Sequence, residues 1–170
     1  MKNAIAILLL LLCIMGCNSQ NQERSITFAK GYEDNPAIPK LAIELTENGK
    51  VFIYSSIPKI DTAHYYEGEI SGDSVQQIIQ KFNTYFGHFT TSINPRIADD
   101  VKLEIVRKDL DKKWYLAGYS VELTAKQYDL TEKIFLLEQL KGLSPIPYHP
   151  FETRIQYETL PLPPASTPPN

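Results

Sequence analysis

The chain has 170 residues, of which 43% are hydrophobic, and its 17 basic and 20 acidic residues give a net charge of −3 at pH 7. This balance is typical of one folded domain and excludes the strongly basic surface that nucleic-acid binding needs, so we expect no nucleic-acid partner. Both cysteines, Cys13 and Cys17, lie near the N-terminus, which leaves the rest of the sequence without a thiol for a disulfide, a zinc site or a nucleophile.

The N-terminus has the parts of an export signal. Lys2 gives a positive start, residues 4–15 form an apolar run, and the small Gly16 precedes Cys17. Such a run makes about 18 Å of helix, which is too short to span a bilayer. Residues 14–17, Ile-Met-Gly-Cys, resemble the lipobox of bacterial lipoproteins. The resemblance implies cleavage after Gly16 and acylation of Cys17, with palmitate as an expected chain.

Acyl chains hold a protein at a membrane without a spanning segment. We therefore expect residues 1–16 to be a lipoprotein signal peptide and the polar residues 17–24 to be a flexible tether. Sorting of enteric lipoproteins retains those with Asp after the cysteine at the inner membrane, so Asn18 favours the outer membrane. The alternative is an ordinary secretory peptide or a signal anchor, in which Cys17 carries no lipid.

Alternating residues predict a first strand around Ile26 and a β-hairpin over residues 41–54. Asn48-Gly49 between two alternating runs is typical of a two-residue type I′ turn, which pairs Leu45 with Phe52 and Ile43 with Tyr54. The second strand of this hairpin is apolar on both faces. It is therefore either a central strand covered on both sides or a patch that meets a partner.

A further strand over residues 64–70 leads into an amphipathic helix. The helix has apolar residues at the helical period, with Asp73 as its cap and Gly87 as its end; these apolar residues are Val75, Ile78, Ile79, Phe82 and Phe86.

A second hairpin follows, with strands over residues 101–105 and 114–119. Thr124 and Gln127 then form a capping box that starts a second helix, which we expect to end at Gly142 and Pro145; its apolar residues are Leu130, Ile134, Leu137 and Leu140.

The predicted fold class is α+β, with an antiparallel sheet of β-hairpins packed against two amphipathic helices in the order β-β-β-β-α-β-β-α. We expect a single domain over residues 25–144. Eight of the twelve prolines follow Leu143, so we expect residues 145–170 to form a Pro-rich extended tail.

Residues 26–86 also resemble a family of small bacterial exported domains of unknown function. That family has an opening strand, a Cys-x-x-x-Cys-Pro segment, a hairpin and a helix that starts near Gly and Ser. Residues 35–39, Asn-Pro-Ala-Ile-Pro, stand here in place of the cysteine segment. The family has no established chemistry, so the resemblance implies no catalytic residue.

The sequence predicts no catalytic residue, cofactor or metal. The three histidines, His64, His88 and His149, are not at metal-ligand spacing, and the chain has neither a Gly-x-Ser-x-Gly elbow nor a Gly-rich phosphate loop. Ser71 and Ser74 are better explained as residues at the start of a helix. We therefore expect a protein that is not an enzyme.

Three regions are candidates for binding. The loop over residues 87–100 carries His88, Arg96, Asp99 and Asp100, whose charges suit calcium or a partner surface; the alternative is a solvated connector. Five aromatic residues, Tyr65, Tyr66, Trp114, Tyr115 and Tyr119, suit either a glycan or peptide platform or ordinary packing. The Pro-rich tail is either passive or a docking peptide for an aromatic groove.

These observations favour a lipid-anchored cell-envelope protein with a non-catalytic binding or scaffolding domain. We expect it to meet the membrane through acyl chains on Cys17 and to bind an unidentified envelope protein, with the Pro-rich tail as a possible dock. Two other functions remain open: an inhibitor or immunity lipoprotein directed against a toxin or enzyme, and an envelope hydrolase.

Overall fold

The computed structural model describes residues 24–31, 39–60, 62–87, 101–110 and 112–153. Its strands are β1 (Ser25–Gly31), β2 (Leu41–Thr46), β3 (Lys50–Ser55), β4 (Tyr65–Glu69), β5 (Lys102–Asp109), β6 (Lys112–Tyr119) and β7 (Ser144–Ile146). Its α-helices are α1 (Gly72–Phe86) and α2 (Ala125–Phe135), and 3₁₀ turns cover Ser120–Glu122 and Leu136–Gln139. The seven strands form one sheet in the order β6-β5-β1-β2-β3-β4-β7.

The predicted α+β class is confirmed. Every neighbouring pair of strands in the sheet is antiparallel, and the predicted order of strands and helices matches the observed order, to which β7 is added. The strand β1 lies between β2 and β5, which joins the two hairpins into one sheet. Both α-helices pack on one face of this sheet, as expected.

The first hairpin is correct in position but wrong in register. Three residues, 47–49, separate β2 from β3, and Leu45 lies opposite Val51 rather than Phe52. Only Gly49 in this loop has a positive φ, of 96°, and its N–H donates to the carbonyl of Thr46 at 3.0 Å. This is the geometry of a three-residue loop that ends in a left-handed residue, not of a type I′ turn.

The shifted register changes which side chains share a face. A shift of one residue moves a strand's side chains to the opposite face of the sheet. Val51 and Ile53 therefore pack under the helices, and Phe52 and Tyr54 point to the second face. Gly49 fixes this loop against the chain after β4, because its carbonyl accepts from the Ile70 N–H at 2.9 Å and a Cβ there would lie 2.5 Å from the Ile70 oxygen.

The helix boundaries differ from the prediction in two places. Ser71, not Asp73, caps α1, since its Oγ accepts from the Ser74 N–H, and Asp73 lies in the first turn. The Thr124 capping box of α2 is confirmed. The second helix does not continue as α-helix toward Pro145: it tightens to 3₁₀ after Phe135, and Pro145 lies in β7.

The main core lies between the sheet and the helices. Its buried members come from all the central strands and both helices; they include Phe28, Ile43, Ile53, Tyr66, Phe82, Ile105 and Ile134. The second face of the sheet carries a smaller buried cluster, which consists of Ala29, Ala42, Tyr54, Tyr65 and Phe151 with Phe52 and Ile146 against it. The interpretation of β3 as a central strand covered on both faces is confirmed.

Residues 147–153, which the sequence assigns to the extended tail, cover this second face; we call them the strap. The ring of Tyr148 lies 5.2 Å from that of Tyr65 on β4, His149 stacks on Phe52 of β3 at 3.8 Å, and Phe151 is fully buried. The packed part of the chain therefore extends to residue 153. The rest of the tail, residues 154–170, lies outside the described residues.

The strap ends over the other side of the sheet. The carboxylate of Glu152 forms ion pairs with Lys108 of β5 and Lys113 of β6. Because β7 and β6 are the two outermost strands, the chain runs from one edge of the sheet toward the other between residues 146 and 152.

Candidate functional site

A groove of about 270 Å³ opens at the end of the sheet where β1 begins. Its walls come from the start of β1, the ends of β2 and β5, and one side of α1; the lining residues are Arg24, Ser25, Ile26, Leu45, Glu47, Gln76, Ile79, Asn83, Arg107, Lys108 and Asp109. This volume lies just below the usual range for small-molecule sites. It suits a side chain or a small polar group rather than a whole cofactor.

The antiparallel register brings these strand ends together. Ser25 at the start of β1 lies opposite Thr46 at the end of β2 and opposite Lys108 near the end of β5. Helix α1 buries Phe82 and Phe86 in the core and leaves Gln76 and Asn83 exposed along the groove. The result is an apolar floor with a polar and charged rim.

Ion pairs organise the rim. The Nε of Arg24 lies 2.6 Å from Oδ1 of Asp109, and one terminal nitrogen of Arg24 lies 3.3 Å from Oε1 of Glu47. These carboxylates, Asp109 more than Glu47, raise the pKa of the Arg24 guanidinium above its ordinary value. Arg24 therefore remains a cation at any physiological pH.

The second arginine of the rim shares one of these carboxylates. The other oxygen of Asp109 lies 3.8 Å from a terminal nitrogen of Arg107. Arg107 also donates to the side-chain oxygen of Asn83 on α1, and its guanidinium carbon lies 5.3 Å from the ring centre of Trp114. Asp109 thus bridges two guanidinium groups, one from the residue just before β1 and one from β5.

The rim chemistry suits recognition. Arg24, Arg107 and Lys108 supply three cations against the two carboxylates of Glu47 and Asp109, and Lys108 also pairs with Glu152 of the strap. Guanidinium and amide groups bind carboxylates and carbonyls with fixed geometry. The groove is therefore complementary to an acidic or amide side chain whose stem lies on the apolar floor.

Of the candidate site residues singled out in the sequence, none that the structure describes lines the groove. The candidate loop residues His88, Arg96, Asp99 and Asp100 fall outside the described residues, as do Gly16 and Cys17 at the signal cleavage and lipidation site. The groove was missed because its charged residues come from separate elements and form no local motif. The only signal for it in the sequence is the charged turn between β5 and β6.

The five aromatic residues do not form one platform. Tyr66 is fully buried on the helix-covered face, where its hydroxyl donates to the Ala63 carbonyl and accepts from the Lys59 N–H. Tyr65 is buried on the second face. The other three, Trp114, Tyr115 and Tyr119, lie on β6 at the far side of the sheet. The packing alternative is confirmed for the two tyrosines of β4.

The two described histidines make separate contacts. His64 lies with Nδ1 2.9 Å from the Ser55 carbonyl, and His149 lies with Nε2 2.8 Å from Oε2 of Glu44. Across the described ranges, no three His, Cys, Asp or Glu side chains gather closely enough to hold a metal ion. The helices of the same ranges include none with the length and apolar character needed to cross a membrane.

No family model matches the chain, and no curated protein matches it. The function is therefore argued from the residues and the geometry.

Proposed function

We propose that this chain is a lipid-anchored protein of the bacterial cell envelope. It acts as a binding or scaffolding module rather than as an enzyme. The observation that carries the proposal is the groove at the Arg24 end of the sheet, whose rim is built from guanidinium, amide and carboxylate groups. Such groups recognise a polar partner by hydrogen bonds and charge.

The position of the groove fits a tethered module. Arg24 lies on the groove rim, seven positions after Cys17 in the sequence. At no more than about 3.6 Å per residue, that segment reaches at most about 25 Å. An acylated Cys17 would therefore keep the groove close to the bilayer, where envelope proteins anchored in the same membrane can reach it.

The partner that this groove suits is a protein segment with an acidic or amide side chain. Ile26, Leu45 and Ile79 provide an apolar floor for the stem of such a side chain. The guanidinium groups of Arg24 and Arg107 on the rim favour a carboxylate or amide oxygen at its end.

The test is crosslinking of the full-length acylated protein in its native membrane, followed by affinity purification. Gln76 and Gln77 are adjacent and exposed on α1, but only Gln76 lines the groove. Gln76→Trp should fill the groove and lose the partner, and Gln77→Trp should keep it. Equal recovery of the partner with both variants would contradict the groove as the binding site.

The same purification separates the alternatives. A variant that ends at Thr159 tests the Pro-rich tail as a dock, since loss of the partner with this variant alone would assign binding to the tail. A single captured enzyme whose activity is abolished would support the inhibitor or immunity function. Measurable hydrolysis of an envelope polymer that is lost when His88, Asp99 and Asp100 become Ala would support the hydrolase instead.

The lipid anchor has its own test. Cys17→Ala should abolish incorporation of a labelled fatty acid and leave the unprocessed precursor. Continued labelling of this variant would contradict acylation at Cys17.

A further inference from the structure

The turn between β5 and β6 breaks two ordinary rules at one residue. Among the residues that the structure describes, Leu110 is the one non-glycine residue with a positive φ, of 53°. A leucine in this left-handed region is uncommon, and Asn, Asp or Gly is usual. Leu110 is also 52% exposed. Neither this backbone conformation nor exposure to water favours a leucine at this position. The folded domain itself therefore does not explain the apolar side chain.

The hairpin that contains Leu110 also carries an exposed aromatic ring and several basic residues. Trp114 is 49% exposed, and Arg107 lies over its ring. Lys108, Lys112 and Lys113 flank the turn, and Lys108 and Lys113 share the carboxylate of Glu152. Residues 107–113 include four basic and two acidic side chains, in a chain whose overall charge is negative.

This turn lies at the end of the sheet nearest the N-terminal segment. Lys108 is opposite Ser25, and Asp109 is ion-paired with Arg24 at 2.6 Å. Because the turn contacts Arg24, the upper limit of about 25 Å between Cys17 and Arg24 also limits how far the turn can lie from Cys17. A lipid on Cys17 would keep Leu110 within reach of the bilayer surface.

We infer that the β5–β6 turn is a membrane contact, in which Leu110 and Trp114 enter the interfacial region of a bilayer that contains anionic lipid. This inference rests on the proposed lipid anchor at Cys17. Tryptophan is favoured at the interface between head groups and acyl chains, and lysines beside it pair with anionic head groups while their stems cover apolar surface. The contact orients the domain and holds the Arg24 groove at the level of the head groups.

The experiment uses Trp114 as its probe, because it is the only tryptophan of the chain. The purified acylated protein is reconstituted into vesicles of phosphatidylethanolamine and phosphatidylglycerol, with or without bromine on the acyl chains. We expect the Trp114 emission to move to shorter wavelength and to be quenched by the brominated lipid. Vesicles of phosphatidylcholine alone, and the Lys112→Gln variant, should give weaker quenching because they lose charge attraction.

Leu110→Asn is the decisive variant, because asparagine tolerates a positive φ and so preserves the turn. We expect it to reduce the equilibrium constant for contact with the bilayer by about tenfold, from the loss of one apolar side chain at the interface. Leu136→Asn is the matched control: Leu136 is 57% exposed and follows Phe135, which lies against Lys30 near the opposite end of β1. This control should quench like the unmodified protein.

Intact mass reports acylation separately from fluorescence, so failure of the anchor and failure of the contact are different results. Absence of the lipid mass would overturn the anchor and with it this inference. An acylated protein whose Trp114 is not quenched, or an L110N variant quenched as strongly as the unmodified protein, would overturn the membrane contact and leave the anchor standing. Loss of a crosslinked protein partner by L110N with unchanged quenching would also overturn it.

Discussion

The two faces of the sheet are covered in different ways. One face packs against α1 and α2, which have a regular apolar stripe and capped starts. The other face is covered by the strap, seven residues without regular secondary structure whose contacts are single rings and single ion pairs. A segment with no periodic pattern can therefore complete a core when a few of its large side chains pack on the central strands of the sheet.

The largest expected effect tests whether the two faces contribute equally. Phe28 and Phe151 are both fully buried, the first under the helices and the second under the strap. Phe28→Ala and Phe151→Ala should each lower the free energy of unfolding by about 3–5 kcal/mol, because each removes a buried ring and leaves a cavity. Urea denaturation of the two variants measures this.

The exposed Tyr148 provides the control on the strap, since it is 51% exposed. Tyr148→Ala should change the free energy of unfolding by about 0.5 kcal/mol or less. If Phe151→Ala were as mild as Tyr148→Ala, the strap would be a loose cover and the second face would not be a core.

His149 of the strap makes polar as well as apolar contacts with the sheet. Its ring stacks on Phe52 at 3.8 Å, packs edge-on against Phe151, and lies 2.8 Å from a carboxylate oxygen of Glu44. His149→Ala should cost about 1–3 kcal/mol, because it leaves a largely buried carboxylate without this partner. Glu44→Gln keeps an acceptor oxygen and should cost less. Equal losses would mean that the charge of Glu44, rather than its hydrogen bond, holds the strap.

The same difference between faces explains what the sequence could predict. Helix α1 repeats apolar residues at the helical period, and the Thr124 box lies within four residues, so both signals are local. The strap is held by contacts such as that of His149 with Glu44, which lie 105 residues apart. No local pattern records such a contact, and the prolines around the strap predict an extended chain instead.

The register of the hairpin and the presence of the groove could not be predicted from the sequence, for related reasons. Asn48-Gly49 identifies a turn but not its length, and the observed loop accepts a hydrogen bond at the Gly49 carbonyl from Ile70, a residue outside the hairpin. The groove needs β1 to insert between β2 and β5, which brings Arg24 to Asp109. Strand order is a property of the whole sheet, so the charges could be seen in the sequence while their meeting could not.

A smaller effect tests the local signals of the helix-covered face. The Thr124 hydroxyl accepts from the Gln127 N–H, and the Gln127 side chain accepts from the Thr124 N–H at 2.9 Å. Thr124→Ala should lower the free energy of unfolding by about 1 kcal/mol, since it leaves an N-terminal amide of α2 without its acceptor. Thr124→Ser keeps the hydroxyl and should restore most of the loss. Equal destabilisation by both variants would point to the methyl group instead.

The smallest expected effect lies at the end of the strap, where Glu152 meets Lys113 and Lys108. The hydrogen bond from Lys113 is the main cause that lowers the pKa of Glu152, and the charges of both lysines add to it against the opposing effect of burial. A carboxylate whose pKa is lowered on folding stabilises the fold above its unfolded pKa of about 4.3 and loses that contribution as the pH falls through the folded value.

Glu152→Gln should therefore lower the free energy of unfolding by about 0.5 kcal/mol or less at pH 7, because the pair is partly exposed. The difference from the unmodified protein should shrink below about pH 4 and should also shrink in about 1 M salt, which screens exposed charges. Urea denaturation between pH 7 and pH 3 measures it. A difference that persisted at the lowest pH would show that shape and packing at residue 152, rather than its charge, attach the strap to β5 and β6.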